Sequence, residues 1–479
     1  MPYRIRSRPL LALAALLLAA APAPAPAAHA AEAAHVEGTL PSGALYVLDV
    51  PGRWNGTVLL YSHGYTPAGV DNPARDAPDD ATRSLLLKEG YALVGSSYAS
   101  TGWAVTDAVP DQLATLDAFA GRFGTARRTI AWGTSYGGLV TTTIAERHPE
   151  RIAGSLSMCG LVQGGIATWN SMLDAVFALR TLLGGTSGSG IRLTGLRDAG
   201  DAAAQAGDMT ALVAQAQGTA TGRARIALAA ALYDVPGWND PETPRPAPDD
   251  WGAQQAAQYW AALGLVELPA FRWRQEAESR AGGNMSWNTG VDYAAVLHDS
   301  PYAKEVAELY RAAGRSLRSD LAELAAAPRI SADPGAVHWM SGTSVFTGRL
   351  SKPQLDVHTT GDPLIPVQAE SAYRRAVAVA GRTALLRQRY VDNAGHCTFS
   401  PGEQVAALHA LEDRIASGHW KGSDPASLDA RVGAADPASA ARYTAYEPSA
   451  FPRPYDLAGP RAPHREQGRT ARRTSGRWP

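Results

Sequence analysis

Thr129-Ile130-Ala131-Trp132-Gly133-Thr134-Ser135-Tyr136-Gly137-Gly138-Leu139 passes from an apolar, strand-like run through Gly-x-Ser-x-Gly into a helix-like run that ends at Arg147. A serine at a strand-to-helix junction sits in a turn so sharp that only small residues fit two positions before and after it. Its hydroxyl then stands at the carboxyl end of a strand, above a helix N-terminus. A Gly-Ser-Gly turn with no chemistry has the same five letters. What separates the two is context: a strand before, a helix after, and an aspartate and a histidine further on in the right order.

Working outward, the chain alternates strand and helix from Thr39 to about Gly165. Ala44 to Val50, Thr57 to Ser62 and Ala92 to Val94 read as strands, the second of the fully buried type. Ser84 to Glu89 ends a helix that Gly90 punctuates. Asp107 to Phe123 is a helix with Leu113, Leu116, Phe119 and Ala120 on one face, and Ile152 to Met158 is the strand after the Ser135 helix. This alternation predicts a parallel sheet with helices on both sides, an α/β fold.

Between residues 164 and 350 the pattern changes to alanine-rich, helix-like segments: Trp169 to Leu183, Asp201 to Gln217, Arg223 to Tyr233, Trp251 to Leu263 and Ala303 to Ala326. Trp169, Trp238, Trp251, Trp260, Trp273, Trp287 and Trp339 lie there. The segment reads as a helical cap inserted into the sheet domain, its tryptophans filling the cap core or lining an apolar acyl pocket.

Alternation resumes with a strand at Gln354 to Thr360, a helix at Pro366 to Ala380, a strand at Leu385 to Val391 and a helix at Glu403 to Ser417. Asp362 follows the first of these strands in Gly361-Asp362-Pro363, a turn that can aim a carboxylate at a histidine. His396 lies in the loop after the next strand. Serine needs an imidazole to take its proton, and the imidazole needs a carboxylate to set its tautomer. Asp356 and Asp392 are competing carboxylates, His358 is a rival base, and His63 reads as a buttress.

The order Ser135, Asp362, His396 at strand ends resembles the α/β-hydrolase superfamily over residues 39–165 and 354–417. The resemblance implies an eight-stranded, mostly parallel sheet with the cap inserted after the sixth strand. It implies Ser135 as nucleophile, His396 as general base and acid, and Asp362 as its orienter. Ser62-His63-Gly64-Tyr65 matches the His-Gly segment that carries one oxyanion donor, so the backbone N–H groups of Tyr65 and Tyr136 are the expected oxyanion hole. In that fold Cys159 and Cys397 both lie at the carboxyl edge of the sheet, where a bond between them ties the histidine loop to the root of the cap. Tannases and fungal feruloyl esterases place a cysteine beside the serine as well. Thr134 stands there in this chain, so their substrate is not carried over.

The N-terminus reads as a secretory signal peptide over residues 1–30: Arg4, Arg6 and Arg8, the apolar run Leu10 to Ala21, and Ala28-His29-Ala30. Its run is too short to span a bilayer. A secreted protein with two cysteines is expected to hold one disulfide. The remaining chain divides into a first core part (31–163), the cap (164–350), a second core part (351–421) and a Pro/Ala/Arg-rich extension (422–479) whose end reads as disordered. With 44 basic against 45 acidic residues, nothing points to nucleic acid. No His/Glu/Cys cluster has metal-ligand spacing, so neither metal nor cofactor is expected. The expected activity is hydrolysis of a small-molecule or polymeric ester through an acyl-enzyme. The alternatives are an aminopeptidase or proline-directed peptidase, anchoring a substrate amine on Glu267, Glu276 or Glu278, and a catalytically silent binding protein.

Overall fold

Strands Ala34–Thr39 (β1), Leu45–Val50 (β2), Thr57–Ser62 (β3), Ala92–Ser96 (β4), Arg128–Thr134 (β5), Gly154–Met158 (β6), Gln354–Gly361 (β7), Leu386–Ala394 (β8) and Tyr443–Thr444 (β9) form one sheet in the order β1-β2-β4-β3-β5-β6-β7-β8-β9. The computed structural model describes Met1, residues 32–185 and residues 190–455. The signal-peptide region and the basic end of the chain lie outside the described residues. From β4 through β3, β5, β6 and β7 to β8 every pairing is parallel, while β1, β2 and β9 add antiparallel edges. The residues of β3, β4 and β6 are buried throughout, as expected of strands covered on both faces.

In chain order the helices are Asp80–Lys88 (α1), Val105–Phe123 (α2), Tyr136–Arg147 (α3), Gly165–Gly184 (α4), Ala199–Gln217 (α5), Ala220–Ala231 (α6), Trp251–Glu267 (α7), Arg274–Ala281 (α8), Tyr293–Asp299 (α9), Ala303–Ala312 (α10), Leu317–Ala326 (α11), Pro334–Ser344 (α12), Ala369–Val379 (α13), Pro401–Ser417 (α14) and Pro425–Ala435 (α15). Strand alternation sorts the core. Leu59, Leu93, Ile130 and Leu156 point to the side covered by α1, α14 and α15, with Leu86, Leu408 and Leu428 facing them. Val58, Leu60, Val94 and Ala131 point to the side covered by α2 and α3, in a core that runs on into the cap. Helices α4 to α12 are the insertion between β6 and β7, so the cap leaves the sheet and rejoins it at adjacent strands.

Three features depart from the expectations above. The sheet has a ninth strand among the described residues, because β9 pairs with β8. The segment Ala303 to Ala326 is two helices: Gly314 at φ +62° ends α10, and the Ser316 side chain caps α11 by accepting the Ser319 N–H at 3.2 Å. The extension after 421 carries a helix, α15, that is not among the expected elements. Asp424 caps it and Pro425 opens it, and Leu428 and Val432 are its buried residues. Two buried residues four apart are a faint periodic signal.

Candidate active site

Ser135 is the residue between β5 and α3, at φ +57°, ψ −124°, a conformation that non-glycine residues rarely adopt. The flanking glycines explain how the chain tolerates it. A Cβ at Gly137 would run into the Ser62 carbonyl, and one at Gly133 would meet the Gly137 carbonyl. The Ser135 N–H is held by Met158 O at 2.9 Å, which ties the turn to β6. Helix α3 is buried from Tyr136 to Ala145, so the turn stands on a rigid base.

Three elements converge on this serine. His396 Nε2 lies 2.7 Å from Ser135 Oγ, and His396 Nδ1 lies 2.7 Å from Asp362 Oδ2. Asp362 follows β7 and His396 follows β8. Asp362 is fully buried, and its Oδ1 accepts the Leu364 and Ile365 N–H groups, both at 2.9 Å. Burial would raise its pKa, but His396 and His358 outweigh that and hold it at about 2. An ionised carboxylate therefore accepts from Nδ1, leaving Nε2 bare to take a proton from Ser135.

The rival residues are engaged elsewhere. Asp392 pairs with Arg245 at 2.7 Å. Asp356 is buried on β7 beside Gln354 Nε2 at 2.8 Å, and burial and Glu370 push its carboxyl well up. His358 is buried behind Asp362, away from the serine. His63 stacks on Tyr98 at 4.0 Å with its nitrogens at the carbonyls of Gly64 and Ser97, a buttress for the loop after β3.

Cys159 and Cys397 form the disulfide, Cα to Cα 5.4 Å. Cys159 donates its N–H to Val357 O at the end of β6, and Cys397 Sγ lies 3.5 Å from His396 Nε2. The histidine loop is thus pinned to the sheet. Thr134, next to the serine, bonds to Tyr61 Oη at 2.8 Å.

The family model of the alpha/beta hydrolase fold matches residues 95–403, more than half of the chain. This chain belongs to the alpha/beta hydrolase family. The o-phthalyl amidase of Xanthobacter agilis is 30% identical over 432 residues, covering 86% of this chain and 93% of that protein. An esterase from Aspergillus oryzae aligns at TM-score 0.40 with 14% identity, covering 81% of this chain and 79% of that one. Feruloyl esterase B from the same organism aligns at TM-score 0.35 with 14% identity, covering 80% of each chain.

In this alpha/beta hydrolase the expected oxyanion donors flank the serine. A Cβ on Gly64 would lie 3.6 Å from Ser135 Cβ, so the loop carrying Tyr65 passes directly beside the hydroxyl. Tyr136 opens α3, where a first-turn N–H has no partner within the helix. The Tyr65 hydroxyl donates to Glu276 Oε2, and Ala68 N–H donates to Glu276 Oε1 at 2.8 Å. Arg280, one turn on in α8, donates to Thr101 O at 2.8 Å and pairs with Asp107 at 3.3 Å. Cap helix α8 therefore clasps the loops after β3 and β4.

The three glutamates named as amine anchors for a peptidase lie in different surroundings. Glu276 is taken by Tyr65 and Ala68. Glu278 is buried against Arg274 at 3.7 Å and accepts the Gly195 N–H at 2.9 Å. Glu267 is exposed at the end of α7.

The cavity at Ser135 is narrow, about 30 Å³ in volume. The core supplies Tyr65, Trp103, Tyr136 and Leu161, and Leu364 and Ile365 follow Asp362. The cap supplies Thr168, Trp169 and Met172 from α4, with Pro269 and Trp273 from a π-type turn between α7 and α8. Trp103 lies 5.3 Å from both Tyr136 and Trp169, and Trp273 lies 4.6 Å from Tyr65, ring centre to ring centre. Larger clefts, such as the one between Asp234, Trp287 and Arg453, do not include Ser135. Of the cap tryptophans only Trp169 and Trp273 line the cavity at the serine. Trp103 carries no sequence signal beyond its place after β4, at the carboxyl edge of the sheet.

Proposed function

We propose that this chain is a serine hydrolase that transfers a compact aromatic acyl group from an ester or an amide to water. One observation carries the reading: Ser135 Oγ, His396 and Asp362 stand in an unbroken hydrogen-bonded chain with both links at 2.7 Å. Ser135 Oγ attacks the acyl carbonyl while His396 Nε2 takes its proton. The oxyanion is held by the N–H groups of Tyr65 and Tyr136. His396 gives the proton to the leaving oxygen or nitrogen, and an acyl-enzyme remains. Water then attacks with His396 as base, and the acid leaves.

The acyl group is read from the walls. Aromatic faces from Trp103, Trp169, Trp273, Tyr65 and Tyr136 suit a planar ring. The name of the Xanthobacter agilis relative, an o-phthalyl amidase, supports an aromatic acyl group and brings amides forward beside the esters expected from the sequence. The occupied carboxylates of Glu276 and Glu278 count against an aminopeptidase. We further propose that the protein acts outside the cytoplasm, on the strength of its N-terminal sequence and its disulfide.

The test is a panel of p-nitrophenyl esters and p-nitroanilides of acetic, hexanoic, benzoic and phthalic acids, with Ser135→Ala as control. Aromatic acyl groups should turn over fastest, an aryl-directed phosphonate should label Ser135, and Ser135→Ala should lose both. Label on another residue, or normal turnover by Ser135→Ala, refutes the assignment. A preference for hexanoyl substrates refutes the aromatic pocket.

A further inference from the structure

Behind Asp362 lies a buried set of ionisable groups that the reaction above does not use. His358 on β7 is fully buried, and so, to within 1%, is Glu370 on α13. His358 Nε2 lies 2.9 Å from Ile365 O, a group that can only accept, so Nε2 carries a proton. His358 Nδ1 lies 2.9 Å from Glu370 Oε1. The other oxygen of Glu370 accepts from Gln388 Nε2 at 2.6 Å, and the same amide donates to the Glu370 carbonyl at 2.8 Å. Oε2 is thus an acceptor, and the proton shared by Oε1 and Nδ1 is assigned to the more basic Nδ1. The imidazole has acceptors on both sides and is a cation. It also lies 3.4 Å from Asp362 Oδ2, the oxygen that accepts from His396.

We propose that His358 is a positioning residue for hydrolysis: a buried imidazolium, clamped between Glu370 and Asp362, that fixes the Asp362 carboxylate and sets how basic His396 is. The proposal rests on the roles given above to Ser135, His396 and Asp362. With two N–H groups on Oδ1 and two imidazoles at Oδ2, the carboxylate is held on both oxygens. Burial alone would lower the pKa of His358, but Asp362 and Glu370 push it up to about 10. Asp356, beside Glu370, has its carboxyl pushed well up by burial and by Glu370. Tyr233 just after α6, Tyr373 on α13 and Tyr390 on β8 also flank these carboxylates. Burial pushes their phenols up, so they stay uncharged. The set of Asp362, Glu370 and His358 then carries one net negative charge. The proton that His396 takes from Ser135 neutralises it.

The sign of the consequence follows. A cation beside Asp362 opposes a second cation on His396. Removing it makes His396 more basic, so the acidic limb of the kcat/KM profile moves to higher pH. His358→Gln, assayed on the best ester of the panel, should move that limb up by about one pH unit and lower kcat about tenfold with little change in KM. A folded His358→Gln variant with an unmoved limb overturns the proposal. Spectra of the wild-type chain labelled with 15N in histidine read the same point without a variant. One ring should keep protons on both nitrogens at about pH 8, with or without phosphonate on Ser135. If every ring has a bare nitrogen at that pH, the proposal is wrong. Retention of activity by Ser135→Ala would instead remove the catalytic roles and leave the ring-nitrogen result standing.

Discussion

Replacing Asp362 by asparagine separates charge from shape at the candidate site. Oδ1 of Asp362 accepts two backbone N–H groups, from Leu364 and Ile365. Asparagine must place its carbonyl oxygen there, because an NH2 group facing two donors would leave all of them unpaired. Its NH2 group is then forced to the Oδ2 position, 2.7 Å from His396 Nδ1. Nδ1 becomes the acceptor, the proton moves to Nε2, and Nε2 can no longer take a proton from Ser135. The loss expected from a wrong tautomer is about 10⁴-fold in kcat, on the order of 5 kcal/mol of transition-state stabilisation. KM should change little, since the cavity is untouched. The assay is kcat and KM on a p-nitrophenyl ester, with phosphonate titration to count intact sites. Asp392→Asn is the control. It breaks an exposed pair with Arg245, worth no more than about 1 kcal/mol, and should cost activity less than about threefold. A loss below about tenfold for Asp362→Asn, or a larger loss for Asp392→Asn, would refute the reasoning. Stability gives a second readout. Asp362 is held at about 2 against an ordinary 3.8, so its contribution is full above about pH 4 and is lost as the pH falls toward 2. Wild type and Asp362→Asn should therefore converge in stability in strong acid.

Two further outcomes are expected. Glu276→Gln weakens the charge-assisted clasp on Tyr65 and Ala68, so kcat should fall about tenfold while the melting temperature moves by only a few degrees; an unchanged kcat would detach cap helix α8 from the oxyanion loop. Reducing the Cys159–Cys397 bond frees the loop of His396, and with a sequence separation of 238 it also releases on the order of 5 kcal/mol of unfolded-chain restraint in the entropy account. Activity should be lost at a lower temperature or reductant concentration than circular dichroism, and loss of both together would make the bond a purely global staple.

The sequence by itself determined the sheet, the serine turn and the order of the three candidate catalytic residues. Each of these is written in local form. Buried parallel strands are continuous apolar runs, Gly133 answers to the Gly137 carbonyl in the same turn, and Asp362 and His396 sit in turns that end strands. Short edge elements were fainter, because an edge strand such as β1 alternates without a strong apolar face and β9 is two residues long. Tertiary structure alone decided which side chains meet at the serine. Trp169 and Trp273 were chosen from among the cap tryptophans, and Trp103 was brought to them from the core, by packing between segments far apart in the chain. Periodicity reports which face of a helix is buried, and cannot report against what. The same limit hid the true partner of Glu276, which reads as a surface acid in α8 and closes on Tyr65. It also hid the state of His358: a histidine in a strand reads as a rival base until the fold sets Glu370 and Asp362 on either side of its ring.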